Sequence, residues 1–146
     1  MRIHMKATAL VLAVALVASA GPASANGPES SNQLVGRNSN VTVWVDKTPR
    51  NIGDGLRQAW TLWLHREPQQ LAGEPEKLYQ TVRLLVLVRC QTRDHAFRQA
   101  AYYKLGTTDS PISTWALSMD AATSDMQVAV PGSIAESIVE AICAKK

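Results

Sequence analysis

The chain has 146 residues, with 15 Lys and Arg, 12 Asp and Glu, and two cysteines. That length is enough for one hydrophobic core and short for two domains. The first 25 residues hold two of the basic side chains and no acidic one, so the remainder carries a net charge of only +1. Because this balance leaves no basic block to follow a phosphate backbone, nucleic acid is not an expected partner.

The N-terminus has the pattern of a secretory signal. A short basic stretch precedes an apolar run at 7–20, and Ala23-Ser24-Ala25 fits the small-residue rule for cleavage. The run is shorter than the roughly 20 residues that a membrane-spanning helix needs. We therefore predict a signal peptide at 1–25 that is cleaved near Ala25, and no stable membrane span. The mature protein is then expected in the periplasm, at the cell surface or secreted.

The segment after the predicted cleavage site is rich in Gly, Ser, Asn and Pro and has few apolar side chains. Such a composition buries too little surface to order a segment by itself. We therefore predict a flexible leader at 26–40 and one folded domain at 41–146.

Five segments of this domain have the alternation and the β-branched or aromatic composition of strands. They cover 41–45, 56–65, 79–90, 95–105 and 112–118. Pro and Gly residues between the strands predict loops at 46–55 and 66–77. Large apolar residues on both faces of 79–90 favour a central position for that strand. In 95–105, strict alternation divides the side chains between two faces. It predicts one face with Phe97, Ala101 and Tyr103, and the opposite face with Arg98, Ala100 and Tyr102.

The C-terminal segment predicts a helix. Ser133 and Glu136 form the Ser-x-x-Glu pattern of a capping box, in which each side chain accepts from the backbone N–H of the other. Four apolar residues then recur at helical spacing, namely Ile134, Ile138, Ala141 and Ile142. Strands followed by one helix, with short connections, predict an α+β fold: an antiparallel sheet of about five strands with a C-terminal helix.

The two cysteines are Cys90, at the end of the predicted central strand, and Cys143, in the predicted helix. An even number of cysteines in an exported chain favours a disulfide, which would tie the helix to the sheet. Two buried free thiols are the alternative.

The residues show no catalytic constellation. After the signal, the only histidines are His65 and His95, and the chain lacks G-x-S-x-G and the short His or Cys spacings of metal sites. The aspartates fall in predicted loops, where Asp is a common turn former. We therefore expect no enzyme, no catalytic residue, no metal and no cofactor.

Four tryptophans lie in predicted strands: Trp44, Trp60, Trp63 and Trp115. Most are expected to pack in the core, but one helix covers one face of a sheet, so at least one ring could be exposed for binding. Trp60 and Trp63 face opposite sides of their strand. We take Trp63, which shares a face with Thr61 and His65, as a candidate binding residue.

Arg83 and Arg89 share one face of the central strand and are candidate binding residues that would flank such a patch. The alternative is that both are ordinary solvated charges on a strand.

Several segments together resemble the surface-adhesin protein E family, over roughly residues 41–143. They are Val-Trp-Val-Asp at 43–46, Leu-Val-Arg-Cys at 87–90, Ala-Ala-Tyr-Tyr-Lys-Leu-Gly at 100–106, Trp115, and Val-Pro-Gly-Ser at 130–133 leading to Ile142-Cys143. The resemblance implies a domain of Gram-negative envelope proteins, in which an antiparallel sheet is tied to a C-terminal helix by a disulfide. It also implies a non-enzymatic adhesin that binds host cells and extracellular-matrix proteins and forms a homodimer.

The chain departs from the family in one respect. No cysteine follows the predicted cleavage site, so the lipid anchor of the named adhesin has no counterpart here. A soluble inhibitor or small-ligand-binding protein of the periplasm is therefore an alternative to an adhesion-type binding module.

Overall fold

An antiparallel sheet and two helices make up residues 31–144, the part of the chain that the computed structural model describes. The strands are β1 (Asn32–Arg37), β2 (Val41–Asp46), β3 (Arg50–Gly53), β4 (Leu56–Leu71), β5 (Glu74–Arg89), β6 (Asp94–Tyr103), β7 (Ser113–Ala116) and β8 (Gln127–Val128). The helices are α1 (Met119–Ser124) and α2 (Ile134–Cys143). The predicted class, an antiparallel α+β fold closed by a C-terminal helix, is confirmed.

The sheet has the order β1-β2-β4-β5-β6-β7, while β3 pairs with β4 and β8 pairs with β6. The predicted number of about five strands is too low, since the described residues form eight. The additional strands are short or lie at the sheet edge, where weak local propensity is compensated by pairing with a neighbour. Neither helix within residues 31–144 is long and apolar enough to cross a bilayer.

β1 lies inside the segment predicted to be a flexible leader. It pairs with β2 over Asn32–Arg37, so the domain begins well before residue 41. A β-carbon on Gly36 would come within 3.1 Å of the Ile134 side chain, so glycine here allows β1 to approach α2 closely. Val35 packs against the core. The segment is ordered by these tertiary contacts, which its composition does not reveal; the signal peptide and residues 26–30 lie outside the described part.

The predicted loop at 66–77 is instead the end of a long hairpin. β4 and β5 have 16 residues each and turn between Leu71 and Glu74, where Gly73 has a φ of +80°. Pro68 is tolerated because the pairing of β4 with β5 is interrupted between Leu64 and Gln69, where no ladder N–H is required.

A bulge in β6 reverses the predicted faces of its second half. Leu85 of β5 pairs with Gln99, but the next residue, Val86, pairs with Phe97, so Arg98 is an extra residue. One extra residue moves every following side chain to the other face. Phe97 therefore shares a face with Ala100 and Tyr102, and the prediction that it lies with Ala101 and Tyr103 is wrong.

The hydrophobic core lies between α2 and one face of the sheet, which we call the helix face. Its buried residues come from the sheet and from α2: Val43, Val45, Ala59, Val86, Val88, Ala129, Ile138, Val139, Ala141 and Ile142. The disulfide between Cys90 and Cys143 joins the end of β5 to α2, as predicted from the parity of the cysteines. In addition, Arg57 Nη1 donates to the carbonyl of Ile142 at 3.0 Å.

The N-terminus of α2 confirms half of the capping box. Ser133 Oγ accepts from the N–H of Glu136 at 3.2 Å, as expected. The Glu136 carboxylate accepts from the N–H of Gly132 at 2.7 Å, one residue earlier than predicted. The N–H of Ser133 is already used, since it donates to the carbonyl of Val130.

Replacing the cap tests this arrangement. Ser133→Ala is expected to lower the free energy of unfolding by about 1 kcal/mol, because the N–H of Glu136 loses its acceptor. Ser133→Asp keeps an acceptor at the same place and is the matched control. Urea unfolding followed by circular dichroism measures both, and equal midpoints for the native protein and Ser133→Ala would contradict the prediction.

Candidate functional site

The face of the sheet opposite α2, which we call the open face, carries a row of large side chains. In β2, Val43 and Val45 lie in the core under α2, so the residue between them, Trp44, projects from the opposite face. Trp44 pairs with Leu62 of β4, and Leu62 pairs with Arg83 of β5. Strand alternation and register thus bring residues from three strands into one row.

A cavity of about 530 Å³, which we call the tryptophan cavity, opens on this face. The row just described lines this cavity, together with Trp60, Leu64 and the segment that follows β6. In that segment, Leu105 is 66% exposed. Its volume falls within the range of about 300–1,000 Å³ that ligand pockets occupy, and apolar walls with few polar groups are typical of such pockets.

Arg83 closes one side of the tryptophan cavity. Its guanidinium carbon lies 5.4 Å from the centre of the Trp60 ring, which is a cation–π distance. The contact holds the indole in place and puts a positive charge next to an apolar wall.

A second cavity of about 340 Å³ shares Trp60 with the first, and we call it the arginine cavity. Arg50, Gln58 and Arg98 line it. Gln58 Oε1 and Arg98 Nε are buried, and neither has a hydrogen-bond partner within the described part of the chain. A carboxylate also lines the cavity, that of Asp46, but its Oδ1 already accepts from the N–H and the hydroxyl of Thr48, both at 2.8 Å.

The structure does not bring the three predicted binding residues together. Trp63 lies on the helix face, where it packs against the core, and its Nε1 donates to Thr61 Oγ1 at 2.8 Å. Arg83 is on the open face, beside Trp60. Arg89 lies at the end of β5, 3.2 Å from the carboxylate of Asp94. A role for Trp63 in binding stays a prediction.

Sequence reasoning missed Trp44 and Trp60 as candidates. The alternation of β4 correctly separates Trp60 from Trp63, but it does not indicate which face the helix covers. The sequence did hold one signal for Trp44. Its neighbours Val43 and Val45 are both β-branched and are expected to face the core together, which leaves Trp44 on the opposite face.

On the helix face, aromatic rings form a line across the sheet. The His65 and Tyr79 rings lie 5.6 Å apart, and the Tyr79 and Tyr102 rings 4.9 Å apart. Trp115 Nε1 donates to the Tyr102 hydroxyl at 3.2 Å. Burial lowers the pKa of His65 below 6.5 and raises the pKa of Tyr79 above 10.0, the second shift being reinforced by Tyr102.

The shift of His65 predicts a pH dependence of stability. Because the pKa of His65 is lower in the folded than in the unfolded protein, its contribution is fully present above about pH 6.5 and is lost as the pH falls through the folded value. The urea midpoint should therefore fall more between pH 7 and pH 5 for the native protein than for His65→Gln. Parallel curves for the two proteins would contradict this.

The titratable groups of the described residues form no cluster suited to a metal. No group of three or more His, Cys, Asp or Glu side chains within residues 31–144 could hold a metal ion. His95 Nδ1 lies 2.9 Å from the carbonyl oxygen of Gln127 and is occupied there. The groups gathered at the open face, aromatic rings and guanidinium groups, are instead suited to binding.

Comparison with known proteins identifies the family of the chain. The family model described as surface-adhesin protein E matches residues 33–144 and thus includes all of β1 except Asn32. No curated protein and no solved structure matches the chain significantly. Because the family model covers most of the sequence, the chain belongs to the surface-adhesin protein E family.

Proposed function

We propose that this protein is an exported, non-enzymatic binding module of the cell envelope that attaches to other macromolecules through its open face. Membership of an adhesin family supports a surface adhesin-type protein. The observation that carries the proposal is the pair of cavities that share Trp60, the first of which is also lined by Trp44 and Arg83. Trp and Arg are enriched among the residues that dominate binding energy at protein interfaces.

Export is the second part of the proposal. The predicted signal peptide at 1–25 and its cleavage near Ala25 lie outside the described residues. The disulfide between Cys90 and Cys143 supports export, because disulfides persist in oxidising compartments and are rare in the cytosol. Mass spectrometry of the protein recovered from its native host tests both points, since an N-terminus at Asn26 is expected.

Binding can be tested with the purified, oxidised protein on a panel of extracellular-matrix proteins. Trp60→Ala is expected to weaken binding about tenfold or more, as truncation of an interface tryptophan does. Trp115→Ala is the matched control, because Trp115 is also partly exposed but lies near Tyr102 on the other side of the sheet. Equal loss in both variants would contradict a role for the open face.

A small-ligand-binding or inhibitory role in the periplasm is the second candidate, favoured by one observation. The tryptophan cavity has the volume of a small-molecule pocket. Protease added to intact cells separates the two roles: digestion indicates surface display, and full protection indicates periplasmic retention.

A host matrix protein as partner and a homodimer are finer parts of the proposal. Sedimentation velocity of the mature protein tests the dimer, and the panel described above tests the matrix partner. A monomer at all concentrations would contradict the proposed dimer, and it would not contradict the proposal that the open face binds a macromolecule.

A further inference from the structure

Three arginines that line the open face form no ion pair with any carboxylate of residues 31–144: Arg50, Arg83 and Arg98. Two other arginines do pair with carboxylates, and one of them is Arg89, which lies 3.2 Å from Asp94. Arg93 lies 3.3 Å from Glu136 and 3.1 Å from Glu140 of α2. These three guanidinium groups are therefore left for groups outside residues 31–144, while the Asp46 carboxylate that also lines the arginine cavity accepts hydrogen bonds from Thr48.

Trp60 lines both cavities, and we call the two cavities together the trough. The β4 residues that line the trough run from Gln58 to Leu64, which are about 20 Å apart along an extended strand. The end beside Leu64 and Leu105 is apolar, and the end beside Arg98 is basic and polar.

We propose that the trough binds an extended acidic peptide segment of a partner protein. An apolar side chain of the peptide enters the tryptophan cavity, and its carboxylates pair with Arg83 and Arg98. This inference rests on the proposed function, for which it names the chemistry of the partner. Guanidinium groups form short, charge-assisted hydrogen bonds to carboxylates, and they stack on aromatic rings at the same time.

The unpartnered atoms of the arginine cavity support a polar occupant. Burying a polar group without a partner is costly, so a donor such as Arg98 Nε and an acceptor such as Gln58 Oε1 are normally satisfied. Because both atoms are shielded from solvent, an occupant reaches them when the Gln58 and Arg98 side chains turn toward it. A peptide supplies carboxylate and carbonyl oxygens that accept and backbone N–H groups that donate.

An acidic peptide fits the trough better than a sulfated polysaccharide does. Both would pair with the arginines, but a polysaccharide has no apolar side chain for the space between Trp44, Leu62 and Leu105. Filling that space removes apolar surface from water, which gives the peptide a contribution to affinity that does not depend on salt.

Fluorescence anisotropy with labelled synthetic peptides tests the inference on the full mature protein. The probe is Gly-Glu-Asp-Leu-Phe-Glu-Asp-Gly. One control peptide replaces the acidic residues by Gln and Asn, and another replaces Leu-Phe by Ser-Ser. Each control is expected to bind at least tenfold more weakly than the probe, and the probe is expected to weaken as salt is added.

Protein variants assign the binding to the trough. Arg83→Gln and Arg98→Gln are each expected to weaken the probe about tenfold. Arg66→Gln is the matched control, because Arg66 is exposed and lines neither cavity, and it should leave affinity unchanged. Arg98→Lys keeps the charge at the bulge if the Gln variant does not fold, and circular dichroism verifies folding in every case.

Three outcomes would overturn the inference: equal binding of the acidic and amide peptides, unchanged affinity in both Gln variants, or arginine-dependent binding of a heparin tetrasaccharide without binding of the probe. The matrix-protein panel separates this failure from that of the proposed function. If Arg83→Gln and Arg98→Gln bind the panel normally while Trp60→Ala does not, the open face still binds a macromolecule, but not through an acidic segment.

Discussion

Loss of the disulfide between Cys90 and Cys143 is expected to lower the free energy of unfolding by about 4 kcal/mol. The two cysteines are separated by 53 residues, and in the chain-entropy model a cross-link over such a loop restricts the unfolded chain by about that amount. Because domains of this size are stable by about 5–15 kcal/mol, the loss would be a large part of the total. Urea unfolding of the native protein with and without reductant measures it.

The double variant Cys90→Ala/Cys143→Ala is the control for this experiment. Reductant should lower the urea midpoint of the native protein and leave that of the variant unchanged. Before reduction, the native protein should show no titratable thiol in denaturant. A native midpoint that does not move, although two thiols have been released, would contradict the expected contribution.

Truncation of Ile138 is expected to have an effect of similar size. Ile138 is 1% exposed and lies in the core between α2 and the sheet. Replacing a buried Ile by Ala removes apolar contacts and leaves a cavity, which costs about 2–5 kcal/mol. The reduction in the free energy of unfolding is measured by urea denaturation with the disulfide intact, so that α2 stays tethered.

Val130→Ala is the matched control, because Val130 precedes α2 but is 68% exposed. A truncation at such a surface position usually changes stability by less than about 0.5 kcal/mol. Comparable losses in the two variants would show that α2 contributes little core packing, contrary to the arrangement described above.

The strands and the helix that could be predicted are those with strong local patterns. The β-branched run of β2 and the alternation of β5 identify two central strands. The Ser133 cap and the apolar spacing of Ile138 and Ile142 identify α2. These patterns work because each element buries one stripe or face, and the spacing of its apolar side chains reports which one.

Elements that depend on a partner could not be predicted. β1 is polar and contains Gly36, and it becomes a strand because β2 and α2 pack against it. The extra residue Arg98 reverses the faces of β6, although the pattern of apolar residues there suits unbroken alternation. In both places the local preference is weak, and the neighbouring strands decide the outcome.

For the candidate site too, the local pattern predicts one part and tertiary packing decides the other. The alternation of β4 establishes by itself that Trp60 and Trp63 lie on opposite faces. The position of α2 decides whether Trp60 or Trp63 points toward a cavity. That position is a property of the whole core.

By itself, the sequence determined the fold class, the capped helix, the pairing expected of two cysteines and the family resemblance, because each follows from local spacing, residue type or motif. Only the tertiary structure decided that Trp63 packs against the core on the helix face and that Trp60 contacts Arg83 and lines both cavities. The physical reason is that a helix can bury only one face of a sheet, and the choice of face is made by the summed packing of distant residues.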